Sequence, residues 1–210
     1  TRDHILGLTA VLPGGEAITC GGRTHKNVVG LDLTRLFVGS EGTLGVITEL
    51  TVKLLPLPAA SATLALAFAG VDEALTAAGD VFQAGILPAA MELMAREALV
   101  AVAAISPGPW PETAGAVLLV RVDGSPAAVA ADASLLETAT RAAGPVWSRR
   151  AVSPEDEEAV WEPRRLLNPA SFKAAPDKIS DDITVPRGRL RQTAAGIQAV
   201  AGELSLRILL

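Results

Sequence analysis

LFVGSEGTLGVITELT, residues 36–51, sets Gly39, Gly42 and Gly45 at three-residue intervals between two apolar runs. Glycine accepts positive φ and leaves the backbone bare. Such a turn therefore lets a ligand touch main-chain amides, with the Ser40 and Thr43 hydroxyls beside them as further donors. A phosphate-bearing cofactor suits a loop of this kind. The spacing is G-x-x-G-x-x-G, which is neither the G-x-G-x-x-G of the dinucleotide fold nor a P-loop, and Ser40 lacks the spacing of a hydrolase elbow. Spacing alone leaves open a plain strand-turn-strand whose glycines serve only the turn.

On its N-terminal side, Ile5 to Leu12 and Ala17 to Cys20 read as two strands joined by Pro13-Gly14-Gly15-Glu16, a hairpin. A polar loop, Arg23 to Asn27, and the apolar Val28-Val29-Gly30-Leu31 lead to Asp32, which is placed to cap a short helix over Leu33 to Phe37. On the other side, Gly45 to Leu55 alternates as a strand and stops at Pro56-Leu57-Pro58. Two prolines there end any ladder and stiffen the connection, so we expect a domain boundary, with residues 1–58 and 59–210 on its two sides.

Beyond it the chain alternates strands with Ala-rich helices. Strands are expected at Thr63 to Phe68, Pro88 to Met94, Val117 to Val122 and Val146 to Val152, and helices at Asp72 to Phe82, Arg96 to Ile105 and Ala127 to Ala142. Successive β-α-β units of this kind suggest a ferredoxin-like arrangement. Ser153-Pro154-Glu155-Asp156 is a helix start, so the acids Glu155 to Glu158 read as a dipole-matched helix end before they read as a metal site. Trp161 and Arg164 can share a face of that helix, and Pro163 should kink or end it. Lys178 to Pro186 reads as a loop entering a strand, Arg187 to Glu203 as a last helix, and Ser205 to Leu210 as strand-like.

Half of the 210 residues are apolar, enough for a substantial core, and the 18 Lys and Arg are dispersed against a net charge of −5, which argues against a nucleic-acid partner. Cys20 is the one cysteine. It excludes an internal disulfide and a cysteine metal cluster, fits a reducing compartment, and reads as a small buried hydrophobe. The longest apolar run, Ala98 to Ile105, falls far short of the roughly 20 residues a membrane span needs. Both ends look cut, so a fragment is expected.

Residues 1–58, TRDHILGLTAVLPGGEAITCGGRTHKNVVGLDLTRLFVGSEGTLGVITELTVKLLPLP, closely resemble the second half of the FAD-binding domain in the glycolate oxidase and D-lactate dehydrogenase family, within the vanillyl-alcohol oxidase superfamily. Leu31 stands where that family usually has Tyr. Met91-Glu92-Leu93-Met94, Trp161-Glu162-Pro163-Arg164 and Asp182-Ile183-Thr184-Val185-Pro186 match landmarks of the family's cap domain in the same order. The implied fold is α+β: the C-terminal part of a PCMH-type FAD-binding domain, followed by a ferredoxin-like antiparallel-sheet cap truncated at its C-terminus.

The resemblance supplies the cofactor, FAD, and a set of residues near it. In the family the loop like Gly39 to Gly45 runs beside the FAD diphosphate and flavin, and the backbone at positions like Val46 and Ile47 meets the ring system. This implies cofactor contacts from Lys26, Asn27, Asp32, Gly39, Ser40, Glu41, Gly42, Gly45, Val46 and Ile47. For Lys26, Asn27 and Asp32, a solvated loop and a helix cap stay equally open. Arg164 occupies the place of the arginine that binds the substrate carboxylate, the alternative being a surface or capping arginine. Some members carry a Lys where this chain has Ser180, and Lys178 is not an evident substitute. The family's His-x-Gly-Asp-Gly-Asn motif would follow Leu210 and the first FAD half would precede Thr1. No catalytic residue and no metal ligand is therefore expected within these residues, and His4 and His25 do not replace the motif.

The implied activity is FAD-dependent oxidation of a small 2-hydroxy acid of the glycolate, D-lactate or D-2-hydroxyglutarate type, by hydride transfer to flavin. Two alternatives stay open: a non-catalytic cap or interaction module, and another FAD enzyme of the superfamily such as an ether-lipid synthase. An iron-sulfur or flavoprotein electron-transfer partner and a homodimer are compatible with the family. The expected location is the cytoplasm, with peripheral membrane association left open.

Overall fold

The computed structural model describes residues 2–26 and 28–210. They divide into two compact units, one ending at Leu57 and one running from Pro58 to Leu210.

In the first unit the described residues form three antiparallel strands, β1 (Ile5–Val11), β2 (Ala17–Gly21) and β3 (Val46–Val52), in the order β2-β1-β3, and the short helix α1 (Leu33–Phe37). The β1–β2 connection is the expected hairpin. Leu12 N–H donates to Glu16 O at 2.9 Å, and Gly15 turns the chain at φ +88°. Strand alternation turns Leu8 and Ala10 to one face, where Cys20 and Phe37 of α1 complete a small core. Burial pushes the Cys20 thiol pKa up. Gly21 is required where it stands: it lies at φ +73°, and a β-carbon there would meet Leu6 O at 2.2 Å. β3 is different in kind, with Val46, Ile47, Leu50 and Val52 all exposed.

The second unit carries β4 (Ala60–Phe68), α2 (Val71–Gln83), β5 (Ala90–Ala95), α3 (Arg96–Ala103), β6 (Ala116–Gly124), α4 (Pro126–Thr140) and β7 (Trp147–Ala151). Three further helices follow: α5 (Pro154–Arg165), α6 (Leu167–Ala174) and α7 (Leu190–Glu203). The sheet order is β5-β6-β4-β7 with every neighbouring pair antiparallel. That is the ferredoxin-like order, with α3 added between the second and third strands.

Alternation along β4 builds two different layers. Leu64, Leu66 and Phe68 face α2 and α4 in a fully apolar core, each contributing roughly 1.5–3 kcal/mol by burial. Ala65 and Ala67 face the other way, against Trp110, Val160 of α5 and their neighbours. Thr63 joins that second face and is also fully buried. Small side chains on this face let α5 lie close. α5 begins as its sequence demands: the Ser153 hydroxyl accepts from Asp156 N–H at 3.1 Å, Pro154 opens the first turn, and acids follow.

Several expectations need correction. Lys178 to Pro186 forms no strand; the segment is irregular, with Ile179 and Ile183 exposed, so alternation there found no neighbour among the described residues to pair with. Ser205 to Leu210 is likewise no strand, although Ala95 N–H donates to Leu210 O at 2.9 Å. α5 passes through Pro163 and closes at Leu166, one turn later than a strict break. α6 was not expected. Its Pro169 sits in the first turn, where the missing N–H would have had no partner in any case, so that proline starts a helix instead of breaking one.

Candidate functional site

The glycine turn of the first unit is held from within. Ser40 N–H donates to Phe37 O and Thr43 N–H to Ser40 O, both at 3.0 Å, and the Thr43 hydroxyl donates to Ser40 O at 2.7 Å. Thr43 is therefore engaged inside the loop and not held ready for a ligand, a correction to its expected role. Gly39 and Gly42 lie at φ +95° and +80°, and Glu41 between them is at +51°, a left-handed conformation uncommon for a side-chain-bearing residue. The amides of Glu41, Gly42 and Leu44 have no backbone acceptor among the described residues. A β-carbon on Gly42 would meet nothing within 4 Å. Successive left-handed residues with free, exposed amides form the kind of concavity that takes an anion. Gly45 does a different job. It is buried, and a β-carbon on it would approach Val11 O to 2.6 Å. Gly45 thus lets the turn pass directly into β3, on which Val46 and Ile47 stand exposed.

The other expected cofactor residues lie away from that turn in their engagements. Asp32 Oδ1 accepts from Arg35 N–H at 2.9 Å and caps α1, while Arg35 also pairs with Asp3 at 2.8 Å. Asp32 lines a cavity of about 270 Å³ together with His25, Arg35 and Lys53, and none of residues 39–47 lines it. Lys26 is exposed, and its backbone oxygen accepts from the Thr24 hydroxyl. Asn27 lies outside the described residues.

In the second unit, α5 presents a polar stripe to the sheet. Glu157, Trp161 and Arg164 stand at i, i+4 and i+7, so they share one face. The Glu157 carboxylate accepts from the Thr63 hydroxyl at 2.7 Å, from the Ser61 hydroxyl at 2.6 Å and from Arg121 at 3.1 Å. Trp161 Nε1 donates to the Thr63 hydroxyl at 2.9 Å. Arg164 Nε donates to Glu92 Oε2 of β5 at 2.9 Å, with both side chains half-buried. Its two terminal amino groups, Nη1 and Nη2, have no partner among the described residues. A guanidinium held at Nε and open at its far edge can take a carboxylate with two parallel hydrogen bonds.

The acids of α5 do not converge. Asp156 pairs with Arg149, Glu157 with Arg121, and Glu158 with Arg165. Among the described residues no group of three or more His, Cys, Asp or Glu comes together as a metal site. Lys178 is bound to Asn168 and Ser171 at 2.6 Å and lies over the Phe172 ring. Ser180 is exposed. Sequence reasoning missed Ser61, Thr63, Arg121 and Glu157 as a cluster. The available signal was a threonine inside the otherwise apolar run ATLALAF facing a helix that repeats polar residues every turn.

Residues 57–210 match the family described as FAD linked oxidases, C-terminal domain. The chain is 36% identical over 208 residues to the glycolate oxidase subunit GlcD of Bacillus subtilis, covering 99% of this chain and 44% of that protein. It is 37% identical over 97 residues to a D-lactate dehydrogenase of Anaerostipes hadrus, 46% of this chain and 20% of that protein. A solved alkyldihydroxyacetonephosphate synthase matches with a TM-score of 0.69 over 96% of this chain and 41% of its own, at 18% identity, a likeness of fold alone. The chain thus spans under half the length of the curated relatives it matches. It belongs to the FAD-linked oxidases.

Proposed function

On the premise of that membership, we propose that the protein carrying this chain oxidises a small 2-hydroxy acid to the 2-oxo acid, with Arg164 holding the substrate carboxylate. The observation that carries this reading is the Arg164 guanidinium, fixed at Nε by Glu92 and open at Nη1 and Nη2. A planar fork matches a carboxylate better than a point charge does, and anchoring that end of a short substrate fixes where its C2 lies. FAD, when bound, supplies the two-electron acceptor. Residues suited to hold it are Gly39, Ser40, Glu41, Gly42, Gly45, Val46 and Ile47, because the exposed amides of Glu41, Gly42 and Leu44 fit a diphosphate. Lys26 and Asn27 join them in this proposal, and Asp32 acts by capping α1.

In this reading residues 1–58 are the second half of an FAD-binding domain and residues 59–210 its cap. The substrate class is that of glycolate, D-lactate or D-2-hydroxyglutarate. The word "subunit" in the name of the Bacillus subtilis relative favours an electron-accepting partner, an iron-sulfur protein or a flavoprotein, beside a homodimeric assembly. The unpaired Cys20 favours the cytoplasm, with peripheral membrane association compatible. No helix among the described residues is long and apolar enough to cross a membrane.

The test is the visible spectrum of the complete protein, followed by anaerobic titration with glycolate and the D and L forms of lactate and 2-hydroxyglutarate. Flavin bands that bleach with one of these acids are expected. Bands that persist with every acid overturn the substrate class, and a colourless protein overturns the cofactor assignment.

A further inference from the structure

We infer that Glu92 is a positioning residue that presents one edge of Arg164 to the substrate; this rests on the reading of Arg164 as the carboxylate anchor. Glu92 is aimed by the pleat of β5. Its neighbours Met91 and Leu93 pack into the apolar layer under α2 and α4, which turns Glu92 to the opposite face, where α5 lies. There Glu92 Oε2 takes the Nε–H of Arg164 at 2.9 Å. A guanidinium can grip a carboxylate along its Nε/Nη2 side or across its Nη1/Nη2 end. With Nε taken, only the end remains, so the carboxylate is received in one orientation. The pair is 37% and 39% exposed at its side chains, and an ion pair so placed contributes little to stability. Its constraint on orientation is a separate matter from its contribution to the fold.

The test is a double-mutant cycle in the complete, FAD-loaded enzyme with glycolate and D-lactate as probes, using Glu92→Leu, Glu92→Gln, Arg164→Met and the Glu92→Leu/Arg164→Met pair. Flavin spectrum and thermal melting report the fold of each. Glu92→Leu is expected to lower kcat/KM roughly 10- to 100-fold, the scale of a misaligned binding group, while Glu92→Gln keeps an acceptor oxygen and most of the activity. In the Arg164→Met background, Glu92→Leu should add nothing, an outcome a merely structural role would not give. Should Glu92→Leu lose its flavin or its fold, Glu92→Ala takes its place in the cycle. Wild-type kcat/KM in the folded Glu92 variant overturns the inference and leaves the anchor standing if Arg164→Met is crippled. An equal loss in both backgrounds does the same. Wild-type activity in Arg164→Met overturns the anchor reading and the inference together.

Discussion

Replacing Glu157 with leucine removes the acceptor that three groups of the sheet share, and its cost can be worked from the contacts. Glu157 is 13% exposed at its side chain and takes hydrogen bonds from Thr63, Ser61 and Arg121. Hydrogen bonds to a charged group contribute about 1.5–3 kcal/mol each, and the two hydroxyl donors qualify in full. The Arg121 pair adds only about 0–1 kcal/mol, because Arg121 is 42% exposed. Against these losses, leucine is relieved of the carboxylate's desolvation penalty, which is of order several kcal/mol for a fully buried ion. The Ser61 hydroxyl is half-buried and can turn to water, whereas the fully buried Thr63 hydroxyl loses its acceptor outright. The net loss is about 2–4 kcal/mol, which for a chain of this size lowers the melting temperature by roughly 5–15 °C. Thermal and urea unfolding followed by near-UV circular dichroism, to which Trp161 contributes, measures it. Glu158→Leu, one residue on and exposed, is the control and should stay within about 0.5 kcal/mol. A loss below about 1 kcal/mol for Glu157→Leu, or additivity with Thr63→Val, refutes the reasoning, since the two sites share a hydrogen bond.

Gly21→Ala must place its β-carbon 2.2 Å from Leu6 O and should cost about 3 kcal/mol or prevent folding of the first unit, whereas Gly42→Ala meets only the φ +80° penalty of about 1–2 kcal/mol; equal unfolding midpoints for the two would contradict this. The Arg191 hydrogen bond holds the Asp72 carboxyl below its ordinary range, so the unfolded chain binds that proton at higher pH than the folded one. The contribution of this α2–α7 pair is therefore present at neutral pH and fades as pH falls through the folded value, and the urea-midpoint gap between wild type and Asp72→Asn should begin to narrow below about pH 3.9; a gap unchanged at pH 3 would refute it. Arg164→Lys keeps the charge and loses the fork, so KM for glycolate or D-lactate should rise about tenfold or more, while an unchanged KM would separate Arg164 from the substrate carboxylate.

Legibility followed the range of the interaction. The hairpin and the Asp32 and Ser153 caps depend on neighbours a few residues away, and the four sheet strands of the second unit, although their ladder partners are distant, are announced by continuous apolar runs bounded by turn residues. The ferredoxin-like order followed because β-α-β connections restrict how strands can return. What failed depended on distant partners. Ile179 to Val185 alternates well enough for a strand, but alternation does not supply a ladder. Pro169 reads as a breaker until its place in the first turn of α6 is known. The glycine turn was readable as a place of close backbone approach, and the spending of the Thr43 hydroxyl on Ser40 O was not, because both outcomes use the same residues.

The two faces of β4 solve different problems, and the second bears on the site. Leu64, Leu66 and Phe68 hold α2 and α4 by non-directional burial, which tolerates some sliding and rotation of a helix. α5 buries Val160 against Ala65, Ala67 and their neighbours, and directional bonds from Glu157, Trp161 and Arg164 to β4, β6 and β5 are added to that apolar contact. These bonds are spread over two turns of helix, so together they fix both its rotation about its axis and its direction across the strands. The 8 residues of helix from Glu157 to Arg164 transmit an error at one end to the other. Loosening Glu157 should therefore disturb the aim of Arg164 even when the protein remains folded. If folded Glu157→Gln enzyme shows a raised KM for glycolate with its flavin spectrum intact, the network orients the substrate anchor as well as stabilising the sheet; an unchanged KM would confine it to stability.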